Sequence, residues 1–186
     1  MPLLPAETSL YPADLLENPA AHAAEHGAWM ALYTRSRREK ELMRKILPAR
    51  IPFYCPVIKR RLKSPGGRVR SSFVPLFSNY VFALVDDDQR RACLATSTIS
   101  RCLPVFDQDE LVADLRRIQS LIATDIPLTP EARLEPGQLV EVRSGPMKGI
   151  EGTIVSRKGQ QRLIVAVRFL NQGASVEIED VDLLAL

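Results

Sequence analysis

Residues 73–85 leave this chain few folds: Phe73-Val74-Pro75-Leu76-Phe77-Ser78-Asn79-Tyr80-Val81-Phe82-Ala83-Leu84-Val85 is its most apolar long run. Pro75 withdraws a backbone donor and Ser78-Asn79 is a turn or bulge pair, so the run breaks in its middle. Beyond the break, Tyr80 to Val85 is aromatic and β-branched and stops at Asp86-Asp87-Asp88. Apolar residues on both alternating faces predict a strand at the centre of a sheet, with partners on either side. The aromatic residues have two readings: core, or a face left open to a partner.

The chain supplies those partners in order. Residues 1–28 are rich in Ala, Pro and small polar residues. They hold one short helical pattern at 20–25 and read as an extension, ordered only if it docks. His22 and His26 stand at i, i+4, one metal-ligand geometry, with no third ligand near them in sequence. Trp29 to Tyr33 reads as a first strand. A helix follows with its first turn near Arg37, Thr34 or Ser36 as cap, and Leu42, Met43, Ile46 and Leu47 on its apolar side. Pro48 and Pro52 stop it. Residues 53–58 are a second strand with an irregular end at Pro56. Residues 59–70 form a hairpin with Pro65-Gly66-Gly67 at its tip. After the central run, Asp87 or Asp88 caps a short helix, residues 99–106 make another strand, and Leu111, Leu115, Ile118, Leu121 and Ile122 mark an amphipathic helix. This order predicts an α+β domain over 29–123, helices packed on a mostly antiparallel sheet.

Pro127, Pro130 and Pro136 break up residues 124–136, read as a linker. Residues 137–186 alternate in five short stretches separated by Gly-bearing turns, which predicts a small SH3-like five-stranded barrel. Val155, Ile164, Val165 and Val167 favour strands there over any helical alternative.

Charge narrows the partners. The net charge is only +3, yet Arg35, Arg37, Arg38, Lys40, Arg44, Lys45, Arg50, Lys59, Arg60, Arg61, Lys63, Arg68 and Arg70 crowd one segment whose only acids are Glu39 and Glu41. Such a block fits a polyanion, or a solvated basic face. Cys55, Cys93 and Cys102 are odd in number and lack metal spacing, which fits a reducing compartment. With no signal pattern and no run long enough for a bilayer, the reading is a cytoplasmic protein without membrane contact. No nucleophile–base pair, phosphate loop or ligand cluster stands out, so no catalytic residue, metal or cofactor is expected.

Two stretches resemble known domains. Gly145-Pro146-Met147-Lys148-Gly149-Ile150-Glu151-Gly152, preceded by Pro136-Gly137-Gln138-Leu139-Val140, is similar to a KOW domain. Gly145 and Gly149 suit a tight loop, and Gly152 suits a close backbone approach. Residues 29–123 resemble the N-terminal domain of the NusG/RfaH family of transcription elongation and antitermination factors, through the Trp29 strand, Glu39, Tyr54-Cys55-Pro56, the basic hairpin and Pro75 to Phe82. The Leu-Phe-Ser-Asn-Tyr wording is similar to the specialised RfaH-type paralogues, with Ser78 where those have Pro.

The resemblance implies a monomeric, non-catalytic factor that binds the clamp helices of the largest RNA polymerase subunit through an apolar patch and bridges the DNA cleft, suppressing pausing or termination. Carried over, the patch candidates are Tyr33, Tyr54, Phe77, Tyr80 and Phe82, each with an equally plain core reading. Arg35, Arg37, Arg38, Arg60, Arg61 and Lys63 become candidates for phosphate contacts to the non-template DNA strand. Phe169 and Leu170 become candidates for docking a small-subunit ribosomal protein or the Rho termination factor; strand alternation would let only one of them point inward. The other reading is a ribosome- or RNA-binding KOW protein, since that fold serves ribosomal proteins too.

Overall fold

The strand Tyr80–Val85 (β6) lies third in a five-stranded antiparallel sheet, as its two-faced apolar pattern requires. The computed structural model describes residues 7–63, 67, 69–157, 159–178 and 182–186, the side chains of 61–63, 69 and 70 excepted. It divides into two compact units, Met1–Gln108 and Asp109–Leu186.

In the first unit the elements are β1 (Leu10–Tyr11), α1 (Pro19–His26), β2 (Ala28–Thr34), α2 (Glu39–Ile46), β3 (Phe53–Tyr54), β4 (Val57–Lys63), β5 (Val69–Pro75), β6, α3 (Asp87–Ala95) and β7 (Ile99–Pro104). The main sheet runs β1-β3-β6-β2-β7, and β4-β5 form a separate hairpin. Leu32, Phe53, Val81, Ala83 and Val85 bury one sheet face against Leu42, Met43 and Ile46 of α2 and Cys93 of α3. Alternation sends Trp29, Ala31 and Tyr33 of β2, and Tyr80, Phe82 and Leu84 of β6, to the other face.

The expected second strand divides at Cys55-Pro56 into β3 and β4, because Pro56 has no N–H for the ladder and its carbonyl instead accepts from Leu76 N–H at 2.7 Å. The N-terminal extension docks: β1 pairs with β3, and Leu15 and Leu16 are buried. Gly27 ends α1 at φ 99°, where a Cβ would stand 2.7 Å from the Val85 carbonyl oxygen. Only glycine fits.

Two helix starts differ from expectation. Helix α2 begins at Glu39, after Arg37 in the left-handed region at φ 60° and without a side-chain cap. Glu39 and Glu41 lie in the first turn, where carboxylates suit the helix dipole. The next helix is capped by Asp86, which forms a capping box with Gln89.

In the second unit come α4 (Gln108–Ala123), β8 (Thr129–Glu131), β9 (Gln138–Val142), β10 (Glu151–Arg157), β11 (Gln160–Val167), β12 (Gln172–Glu177) and β13 (Leu183–Ala185). The division falls after Gln108, the first residue of α4. The five expected strands become six, paired β13-β9-β10-β11-β12-β8, and among the described residues the order is open instead of closed on itself. The sixth strand comes from the expected linker. Buried Glu131 holds it, accepting from Ser175 Oγ at 2.5 Å and from Arg157 Nη1 at 2.9 Å. Asp114 of α4, also buried, accepts from Arg168 N at 2.9 Å and Nη2 at 2.8 Å. Charged donors on a desolvated carboxylate decide both placements, which hydrophobic spacing does not reveal.

Burial, and then the Glu39 carboxylate, pushes the Cys55 thiol from 9.0 up to about 12. The unfolded chain sheds that proton near pH 9 while the folded chain keeps it, so stability is full below that range and falls as pH rises through it. In urea unfolding, wild type is expected to lose more stability than Cys55→Ala above about pH 9, by up to about 1.4 kcal/mol per pH unit. Parallel pH profiles would refute this. Asp86→Ala is expected to cost about 1 kcal/mol by the same measurement, as the loss of a helix cap does.

Candidate functional site

Two tyrosines meet where β2 ends and β6 begins. Tyr33 pairs with Tyr80 in register, and the rings stand edge-to-face, centroids 5.1 Å apart and planes at 66°. On the other side of β2, Tyr33 faces Arg101 and Ala31 faces Leu103. Tyr33, Tyr80, Ser100, Arg101 and Leu103 line an open groove of about 340 Å³. A register shift between Tyr33 and Thr34 ends the regular ladder at this point.

The turn before β6 sets Tyr80. Asn79 adopts φ 68°, and its N–H donates to Glu39 Oε1 at 2.6 Å. Its carbonyl accepts from Thr34 N–H at 2.8 Å. Glu39 is buried, so one carboxylate at the start of α2 ties the β6 turn to that helix, and Thr34 ties it to β2. Burial, with Tyr33 adding to it, raises the Tyr80 hydroxyl above its ordinary value; it stays protonated and able to donate near neutral pH.

Of the five aromatic candidates, Tyr33 and Tyr80 are half-buried and border the groove. Tyr54, Phe77 and Phe82 are buried, at 4%, 2% and 0% exposure, and belong to the core; Tyr54 and Phe82 pair on the same sheet face as Tyr80. Ser100, Arg101 and Leu103 escaped the sequence reading, which took residues 99–106 only as a strand. The signal was available: Arg101 and Leu103 are two apart, so they share a face, and Arg101 is the one cation in that run.

Arg35, Arg37, Arg38 and Arg60 are exposed. The first three lie in the loop between β2 and α2, not on the helix. Arg38 pairs with Glu41; Arg35 and Arg37 have no ion-pair partner among the described residues. The side chains of Arg61 and Lys63 lie outside the described residues. His22 Nε2 is 3.2 Å from Asp14 Oδ2, and His26 Nδ1 is 3.0 Å from Gln89 Nε2. Among the described residues no group of three His, Cys, Asp or Glu is placed to hold a metal.

In the second unit, Gly145, Pro146 and Gly149 are exposed in the β9–β10 loop. Gly149 N–H donates to Val142 O at 2.7 Å. Gly152 lies on β10, where a Cβ would stand 2.6 Å from Ile164 O. Phe169 and Leu170 sit in a 3₁₀ turn, Arg168–Leu170, and both are half-buried. Strand alternation therefore does not divide them as expected: a turn of three residues sends neighbours to adjacent directions, not opposite faces.

A family model described as "Transcription termination factor nusG" matches residues 27–120. The chain belongs to the NusG family. The match spans every groove residue. The chain is also similar to a solved NusG structure from Thermotoga maritima, titled "Domain interaction in Thermotoga maritima NusG", at 16% identity, covering 82% of this chain and 93% of that one with a TM-score of 0.41. No curated protein matches. No helix among the described residues is long and apolar enough to cross a membrane.

Glu39→Ala leaves the Asn79 N–H without its acceptor inside the protein and is expected to cost about 1–3 kcal/mol in denaturant unfolding. Glu39→Gln, which keeps an acceptor oxygen, should cost less. Equal stability of Glu39→Ala and wild type would show that this bond does not hold the turn.

Proposed function

We propose that this NusG-family chain is a transcription elongation or antitermination factor that works by binding, without catalysis. It holds RNA polymerase at the clamp helices of the largest subunit, bridges the DNA cleft and suppresses pausing or termination. The observation that carries this reading is the groove at Tyr33 and Tyr80: an edge-to-face aromatic pair on a sheet face, open to solvent, inside the family-matched region. Arg35 and Arg37, exposed beside the end of β2, supply phosphate contacts to the non-template strand. The second unit, read as a KOW domain whose strands belong to an SH3-like barrel, offers the Phe169-Leu170 turn to a small-subunit ribosomal protein or Rho. The Leu76-Phe77-Ser78-Asn79-Tyr80 wording supports a specialised paralogue, monomeric and cytoplasmic.

The second reading, a ribosome- or RNA-binding KOW protein, rests on the β9–β10 glycine loop, and the same experiment separates the two. Full-length protein should co-purify with core RNA polymerase, and Tyr80→Ala should weaken that association tenfold or more, the equivalent of about 1.4 kcal/mol. Tyr80→Phe, which keeps the ring pair, should retain most of it. Wild type that captures ribosomes or free RNA and no polymerase would overturn the elongation reading.

A further inference from the structure

The groove is not simply apolar. Arg101 stands at its rim on β7, directly across from Tyr33, and is exposed. It makes no ion pair with any described residue, and the other lining residues, Tyr33, Tyr80, Ser100 and Leu103, carry no charge. The groove therefore presents a fixed cation, hydroxyl groups and aromatic edges, with no carboxylate to neutralise them. A guanidinium next to apolar surface is suited to a two-pronged bond with a planar anion.

We infer that Arg101 receives a carboxylate of the bound protein partner, so that the groove selects an apolar segment carrying an Asp or Glu. This rests on the polymerase reading and assigns an acidic side chain of the polymerase to Arg101. A nucleic-acid phosphate fits less well. The tyrosine rings are engaged with one another at 66°, so they do not form the parallel platform on which successive bases stack.

The test titrates full-length wild type, Arg101→Gln, Arg101→Lys, Arg101→Glu and Tyr80→Ala against core RNA polymerase at low and high salt. Arg101→Gln is expected to bind about tenfold more weakly at low salt, with a flatter salt dependence, as loss of a charge-assisted contact should produce. Arg101→Lys should fall between, and Arg101→Glu should be weakest. Tyr80→Ala should weaken binding while keeping the wild-type salt slope. Arg101→Gln binding with wild-type affinity and slope, while Tyr80→Ala does not, overturns the Arg101 assignment alone. So does an Arg101→Gln variant that binds polymerase normally but loses affinity for a single-stranded DNA oligonucleotide, or one that only self-associates, since β7 is an edge strand and charge there can serve to block strand pairing. Absence of polymerase binding by wild type overturns the polymerase reading beneath it.

Discussion

Glu39 is the interaction on which the first unit depends. Its buried carboxylate accepts the Asn79 N–H, and that bond closes the turn through which the chain enters β6. β6 is the strand that both β3 and β2 need as a partner, and its Val81, Ala83 and Val85 carry the middle of the core. A charged acceptor on a backbone donor is stronger than a neutral one, which suits a position where the chain must leave a hairpin, turn with a left-handed residue and enter the centre of a sheet within four residues.

The same bond links core to function. Tyr80 follows Asn79 directly, and Thr34, which donates to the Asn79 carbonyl, follows Tyr33. The ring pair is therefore held through backbone contacts on either side, and the groove is preformed. A preformed site loses less ordering entropy on binding than one assembled from mobile loops. The second unit also relies on buried carboxylates: Glu131 fastens β8 through the Ser175 and Arg157 side chains, and Asp114 fastens α4 through the Arg168 N–H and guanidinium.

Much of the architecture was legible because burial leaves a periodic trace. The central strand, the apolar side of α2 and the stripe of α4 were all visible in the spacing of Val81, Leu42 and Leu115. The β4–β5 hairpin and the strands of the second unit were visible from their glycines and prolines. The candidate site was legible only in part. Tyr33 and Tyr80 were named along with Tyr54, Phe77 and Phe82, because apolar spacing cannot say which aromatic on a face meets solvent. Arg101 was missed because its significance comes from Tyr33, far away in sequence and adjacent across the ladder.

Sequence by itself determined most element types between residues 29 and 123, the place of β6 at the centre of its sheet, the uneven charge and the NusG-like wording of residues 75–82, because each is a local pattern of side-chain chemistry. Tertiary structure alone decided that the N-terminal extension adds a strand, that the linker becomes β8, and that two of five aromatics border a groove completed by Arg101. Those outcomes turn on which distant donors reach a buried carboxylate and which rings another strand covers. Only the folded chain brings such partners within contact distance.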